Sequence, residues 1–212
     1  MRNPLLLGLG LVSAACYMVG VGADLFMLEL LAKPIPVICL MLWLRRYVSE
    51  CPYRTWVFRG LFLSMIGDFF MTAPDKFLIP AMGAFGLAHI SYIAAYLSVT
   101  KKLEWLRALP FILWCSLVFW VLSPKMGDML IPVSGYMVVI GTMMWRAMAL
   151  PPKLGSGQTW LAPAGAIIFA LSDTMIAFRL FDDSFPADRY LIIVTYWVGQ
   201  WLITASARVF SA

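Results

Sequence analysis

Charge is scarce in this chain: Asp, Glu, Lys and Arg make up 13% of its 212 residues, against 62% hydrophobic. A soluble domain carries roughly 25% charged residues, so an ordinary water-exposed surface is excluded and an integral membrane protein is expected. There is one histidine, His89, too few for a histidine-rich metal site or for a redox haem. The sequence has no GxSxG nucleophile elbow, no GxxxxGK[ST] phosphate loop and no nucleic-acid-binding signature. The four cysteines, Cys16, Cys39, Cys51 and Cys115, lack metal-ligand spacing, and three fall in apolar segments. They read as small core residues, not as a disulfide framework. No metal, cofactor or nucleic-acid partner is expected.

What the chain has in abundance is helix-length apolar sequence. A membrane-spanning helix needs ~20 mostly apolar residues, and eight segments qualify: 4–22, 27–44, 57–73, 79–99, 106–122, 129–147, 160–179 and 190–208. Breaks fall at Cys51-Pro52, Ala73-Pro74-Asp75, Ser123-Pro124-Lys125, Pro151-Pro152, Gly155-Ser156-Gly157 and Asp182-Asp183. The loops are short, so residues 1–212 read as a single all-α, polytopic membrane domain. The N-terminal run from Leu5 to Val21, with Ser13-Ala14-Ala15-Cys16 inside it, has features of a signal peptide. A retained first span is the stronger expectation because no exported soluble domain follows.

Charge bias sets the expected orientation. Arg2, Arg45, Arg46, Arg54, Arg59, Lys101, Lys102, Arg107, Arg146, Lys153 and Arg208 collect on one side, 11 of the 16 basic residues. The opposite side holds Asp24, Glu29, Asp75, Asp128, Asp182, Asp183 and Asp188, seven of the 11 acidic residues. The positive-inside rule then puts both termini in the cytoplasm, which an even number of spans also requires.

Two aspartates, Asp68 and Asp173, lie deep within these apolar segments. Inserting such a carboxylate costs about 2.5–3.5 kcal/mol, so each needs a purpose. Asp68 lies 12 residues after Trp56 and Asp173 lies 13 after Trp160, in two segments running the same way. At 1.5 Å per residue both stand roughly 18–20 Å from the cytoplasmic edge, in the outer half of the bilayer. Segments running inward offer partners near that depth: Lys33, His89, Tyr136, Tyr196 and Gln200. Ser64 shares a helix face with Asp68, Tyr92 and Tyr96 with His89, and Thr204 with Tyr196 and Gln200. The spacing predicts an enclosed polar pocket opening toward the outer side, with Pro34 and Pro36 kinking the second span.

Each residue also has a plainer role open to it. An aspartate can serve as a structural hydrogen-bond partner, Lys33 can snorkel to the interface, and His89 can bond one helix to another. The methionine and tryptophan residues fill packing and interface positions. Two functional classes remain: carboxylate acid–base catalysis, or proton-coupled transport of a small amphiphile, which needs a path to both faces. A purely structural membrane protein leaves two costly acids unexplained.

The arrangement resembles the YhhN-like lysoplasmalogenases, eight-helix membrane enzymes of bacteria and animals. The resemblance runs from the second segment to the eighth. It is carried by Lys33-Pro34; by Ser64-Met65-Ile66-Gly67-Asp68; and by Gly83, Phe85, His89 and Tyr92. Pro132-Val133 with Tyr136, Gly165-Ala166 with Phe169 and Ser172-Asp173, and Thr195-Tyr196 with Gln200 complete it. Some relatives lack the second acid, and its presence here favours a catalytically competent member. A serine near an aspartate in the third and seventh segments points to a four-plus-four internal repeat.

The resemblance implies hydrolysis of the vinyl ether of lysoplasmalogens, giving a fatty aldehyde and glycerophosphoethanolamine or glycerophosphocholine. Protonating the vinyl ether's β-carbon leaves an oxocarbenium ion, which calls for an acid beside a negative group. Asp173 is cast as the acid and Asp68 as base or cation stabiliser, with His89 orienting water or relaying a proton. Lys33 is expected to meet the substrate phosphate, and Ser64, Tyr92, Tyr136, Ser172, Tyr196 and Gln200 to hold glycerol and head group. The substrate is a lysophospholipid and the co-reactant water; a homo-oligomer is compatible with this, and a bacterial inner membrane is the expected location.

Overall fold

The computed structural model describes residues 3–72, 77–152 and 158–210, and all regular structure in them is helical. Arg2, Lys153, the Ala73-Pro74-Asp75 break and the Gly155-Ser156-Gly157 break lie outside the described residues. Helix α1 spans Pro4–Gly22, α2 Phe26–Ala32, α3 Ile35–Tyr47, α4 Pro52–Thr72 and α5 Leu78–Val99. Then come α6 Leu109–Leu122, α7 Leu130–Met148, α8 Leu161–Phe181 and α9 Asp188–Phe210.

Local sequence explains the main boundaries. Asn3 Oδ1 accepts the Leu5 and Leu6 N–H groups at 3.0 and 3.4 Å, capping α1, and Pro4 occupies the first turn. The expected single span over 27–44 is instead two helices, α2 and α3, separated at Lys33-Pro34. Neither Pro34 nor Pro36 has an N–H, so the carbonyls of Leu30 and Ala32 lose their partners four residues on. Ser13 Oγ of α1 donates to the Ala32 carbonyl at 2.8 Å and satisfies one of them. The interruption is therefore built into the packing and holds Lys33 at its centre.

Taken together, α2 and α3 form one span, Phe26–Tyr47, one of seven among the described residues long and apolar enough to cross a membrane. Helix α4, with 21 residues, is as long, but it carries Arg54, Arg59 and Asp68. The outer surfaces of α1 and α6 are apolar: Leu5, Leu11, Leu109, Leu113 and Trp120 are all exposed. Such a surface suits lipid, not water.

Two helix pairs form the heart of the bundle. Helix α4 packs against α5 where Gly60 faces Tyr92: a Cβ on Gly60 would lie 2.2 Å from the Tyr92 ring. Helix α8 packs against α9 at Gly165 and Gly199, where an added Cβ would come within 2.8 Å and 2.9 Å of opposing backbone nitrogens. Small residues at these crossings let the backbones meet closely. Just past the end of α5, buried Arg146 of α7 donates to the carbonyls of the C-cap Thr100 and of Lys102, both at 2.7 Å, and so ties the chain leaving α5 to α7.

Candidate active site

A cavity of about 320 Å³ opens at the end of the bundle where α4 and α8 finish and α9 begins. Both aspartates line it, Asp68 from α4 and Asp173 from α8, together with Lys33, Ser172 and Tyr196. The cavity places on one surface two acids that are 105 residues apart in sequence (173 − 68).

Their immediate partners differ. Asp68 is 1% exposed; its Oδ2 accepts a 2.6 Å hydrogen bond from the Tyr196 hydroxyl, and its Oδ1 lies 3.5 Å from Lys33 Nζ. Asp173 Oδ2 accepts from the Tyr136 hydroxyl at 2.5 Å and lies 3.7 Å from His89 Nε2. Asp68 thus faces an ammonium, whereas Asp173 faces a phenol and an imidazole.

The contacts follow a pattern. Each acid meets one residue from the span before its own, Lys33 or Tyr136. Each also meets one from the far helix pair, Tyr196 of α9 for Asp68 and His89 of α5 for Asp173.

Four of the other sequence candidates, His89, Ser64, Tyr92 and Gln200, lie behind the cavity wall. His89 is fully buried, edge-on to Phe169 and Tyr136 with ring centroids 4.8 and 5.3 Å away, and it does not line the cavity. Neither His89 nitrogen has a hydrogen-bond partner among the described residues. Ser64, Tyr92 and Gln200 are also fully buried, in a layer beneath Asp68 and Tyr196, with the Tyr92 hydroxyl donating to Gln200 Oε1 at 2.6 Å. Ser172 donates its hydroxyl to the Ile192 carbonyl at 2.9 Å, fastening α8 to α9. Lys33 is not at the rim: its side chain is 10% exposed and is turned to Asp68.

The cavity also contains residues that the sequence reading passed over: Tyr17, Glu29, Arg179 and Arg189. Arg189 Nη2 donates to Glu29 Oε2 at 2.6 Å, and Arg179 Nη1 to Asp188 Oδ1 at 3.0 Å. The signal was available, because Arg179 and Arg189 are basic residues on the acidic side of the chain. A second, apolar pocket of about 60 Å³ borders Asp173, is lined by Met82, Val133, Ala177 and Phe181, and shares Phe85 and Ile176 as lining residues with the main cavity.

Among the described residues no cluster of His, Cys, Asp or Glu has the form of a metal site. The arrangement sets the carboxyl groups of Asp68 and Asp173, an ammonium and two guanidinium groups on one cavity, with an apolar pocket beside Asp173.

A sequence profile of the YhhN family matches residues 28–207. The chain belongs to the YhhN family. It is 33% identical to lysoplasmalogenase TMEM86A of Bos taurus over 186 residues, covering 84% of this chain and 77% of that protein. Lysoplasmalogenase TMEM86B of Homo sapiens is 34% identical over 182 residues, covering 84% of this chain and 74% of that protein. A lysoplasmalogenase of Mycobacterium bovis is 31% identical over 163 residues, 72% of this chain and 60% of the relative. No solved structure matches the chain significantly. Lys33, both aspartates, His89, Tyr136 and Tyr196 all fall within the stretch matched to the YhhN family.

Proposed function

We propose that this protein is a lysoplasmalogenase, hydrolysing the vinyl ether of a lysoplasmalogen to a fatty aldehyde and a glycerophospho-alcohol. The observation that carries the reading is the presence of Asp68 and Asp173 in one cavity with unlike partners. The relatives named lysoplasmalogenase supply the reaction.

The roles follow from those partners. Lys33 gives Asp68 a counter-charge, so Asp68 serves as the carboxylate, held in place by Tyr196. Asp173 faces no lysine or arginine among its described partners and serves as the proton carrier, oriented by Tyr136. Asp173 gives its proton to the β-carbon of the vinyl ether, and the double-bond electrons form the new C–H bond. The resulting oxocarbenium ion is stabilised by the Asp68 carboxylate. Water adds to the cationic carbon and passes a proton to Asp68. The hemiacetal then collapses: its hydroxyl proton returns to Asp173, and the proton on Asp68 goes to the departing glycerol oxygen. The aldehyde C=O forms as the C–O bond breaks, and both acids regain their starting states. Proton transfer by positioned groups contributes typically 10²–10⁴-fold.

In this scheme His89 is a positioning residue that packs against Tyr136 and flanks Asp173. The alkenyl chain begins at the apolar pocket lined by Val133, Ala177 and Phe181, between α5, α7 and α8. Transport is the competing reading, because polar side chains continue below the cavity through Tyr92, Gln200 and Tyr96 to Tyr53 and Ser206. These are packed solid, each 1% exposed or less, and that supports a closed-ended site over a carrier path.

We further read α4 as an eighth span, with both termini cytoplasmic and the cavity mouth on the outer side, as charge bias requires. A bacterial inner membrane is the setting that fits best. The test of the function is direct: purified protein in detergent is given lysoplasmenyl-ethanolamine and its saturated ether analogue, and long-chain aldehyde is measured. Aldehyde from the unsaturated lipid alone is expected; aldehyde from neither lipid overturns the reading.

A further inference from the structure

We infer that Arg179 and Arg189 form the subsite that takes the phosphodiester of the lysolipid, a role the sequence reading gave to Lys33. The inference rests on the proposed reaction, because it assumes a substrate held between Asp68 and Asp173.

Position is the first argument. Arg179 lies six residues beyond Asp173 on α8, and Arg189 lies seven before Tyr196, the partner of Asp68, on α9. The helices run in opposite directions, so both arginines stand on the mouth side of the acids, about 9–10.5 Å along the helix axes. In a lysoplasmalogen the path from the vinyl β-carbon through glycerol to phosphorus is roughly 8 Å when extended, at about 1.2 Å per bond. A lipid with its vinyl ether at Asp173 therefore carries its phosphate to about the level at which Arg179 and Arg189 leave their helices, within reach of both side chains.

Availability is the second. The Lys33 side chain is 10% exposed and faces Asp68, whereas those of Arg179 and Arg189 are 37% and 32% exposed. Both arginines line the cavity. Asp188 and Glu29 each accept one N–H and fix the two guanidinium planes, and Arg189 also lies 3.6 Å from Asp24. A guanidinium has five N–H donors, so donors remain on each for phosphate oxygens, and its fork suits two of them at once. Glu29 and Asp188 also balance the charge of the two guanidinium groups.

The plainer role for these residues is to staple α2, α8 and α9 together, and the experiment separates the two. Steady-state kinetics are measured for wild type, R179Q, R189Q and E29Q on lysoplasmenyl-ethanolamine and on a phosphate-free alkenylglycerol. Each arginine variant is expected to raise KM for the phospholipid at least about tenfold. The alkenylglycerol kinetics should stay within about twofold, and E29Q should retain the preference for the phospholipid. Equal losses on both substrates, or a phospholipid KM that does not move, overturn the subsite.

Two measurements on the wild-type protein do not depend on recovering a variant. Glycerophosphoethanolamine should compete with the phospholipid, and glycerol and ethanolamine at the same concentration should not; equal effects count against the subsite. Binding of the saturated ether lysophosphoethanolamine, followed by the fluorescence of the nine tryptophans, should exceed that of the phosphate-free alkylglycerol. A protein that shows this preference but releases no aldehyde keeps the subsite and loses the reaction. One that releases aldehyde with no phosphate preference loses the subsite alone.

Discussion

Lys33 Nζ stands 3.5 Å from Asp68 Oδ1, at the point where two prolines interrupt the second span. The pairing gives the two acids different surroundings in one cavity, and the assignment of carboxylate and proton carrier rests on it. It also predicts how the site fails when either partner is changed.

Asp68→Asn and Asp173→Asn should each lower aldehyde release by at least about 10²-fold while leaving a folded, detergent-soluble protein. Turnover with lysoplasmenyl-ethanolamine, alongside size-exclusion elution, checks this. An Asn variant with wild-type turnover removes that aspartate from the chemistry.

Lys33→Gln should lower kcat more than it raises KM, because in the proposed roles the ammonium, 3.5 Å from Asp68 Oδ1, serves that carboxylate. A loss of about 10-fold or more in kcat is expected from removing a charge-assisted contact in a water-poor site. Raised KM at unchanged kcat would return Lys33 to phosphate binding.

Much of the fold could be read from the sequence, because apolar length and charge bias are both one-dimensional signals. The eight segments correspond to α1, α2 with α3, and α4 to α9. The split at Lys33-Pro34 is sharper than a kink because Ser13, in another helix, rewards the broken backbone, and no local pattern in the second segment records that. Depth arithmetic put Asp68 and Asp173 at one level, but depth does not say which way a side chain faces. His89, Tyr92 and Gln200 share that zone and yet lie behind the wall, since helix rotation is set by packing at Gly60, Gly165 and Gly199. Arg179 and Arg189 went unnoticed because the charge rule treats them as exceptions to be outvoted.

Ser13→Ala should weaken the break that holds Lys33. The Ala32 carbonyl would lose its 2.8 Å partner in a buried setting, at a cost of about 1–3 kcal/mol. A lower melting temperature in detergent together with reduced kcat is expected. Unchanged values for both would mean that the break holds without Ser13.

Tyr136→Phe and Tyr196→Phe each remove one hydrogen bond to a carboxylate of the proposed pair, Asp173 or Asp68. The loss should be about 1.5–3 kcal/mol in transition-state stabilisation, roughly 10- to 150-fold in kcat/KM. Tyr92→Phe, one layer deeper and hydrogen-bonded to Gln200, should affect stability more than turnover. The reverse ranking would place the reacting centre below the cavity.

Gly60→Val should fail to give a stable protein, since even a Cβ would lie 2.2 Å from the fully buried Tyr92 ring. Thermal unfolding in detergent measures it, and a variant as stable as wild type would contradict the close α4–α5 packing.

The measurement that bears most directly on the account is the distance between the two acids in an experimental structure with a saturated ether lysophospholipid bound. Both carboxylates should flank the ether linkage, with Lys33 on Asp68 and the phosphate at Arg179 and Arg189. A lipid bound elsewhere, or one that contacts a single aspartate, would contradict it.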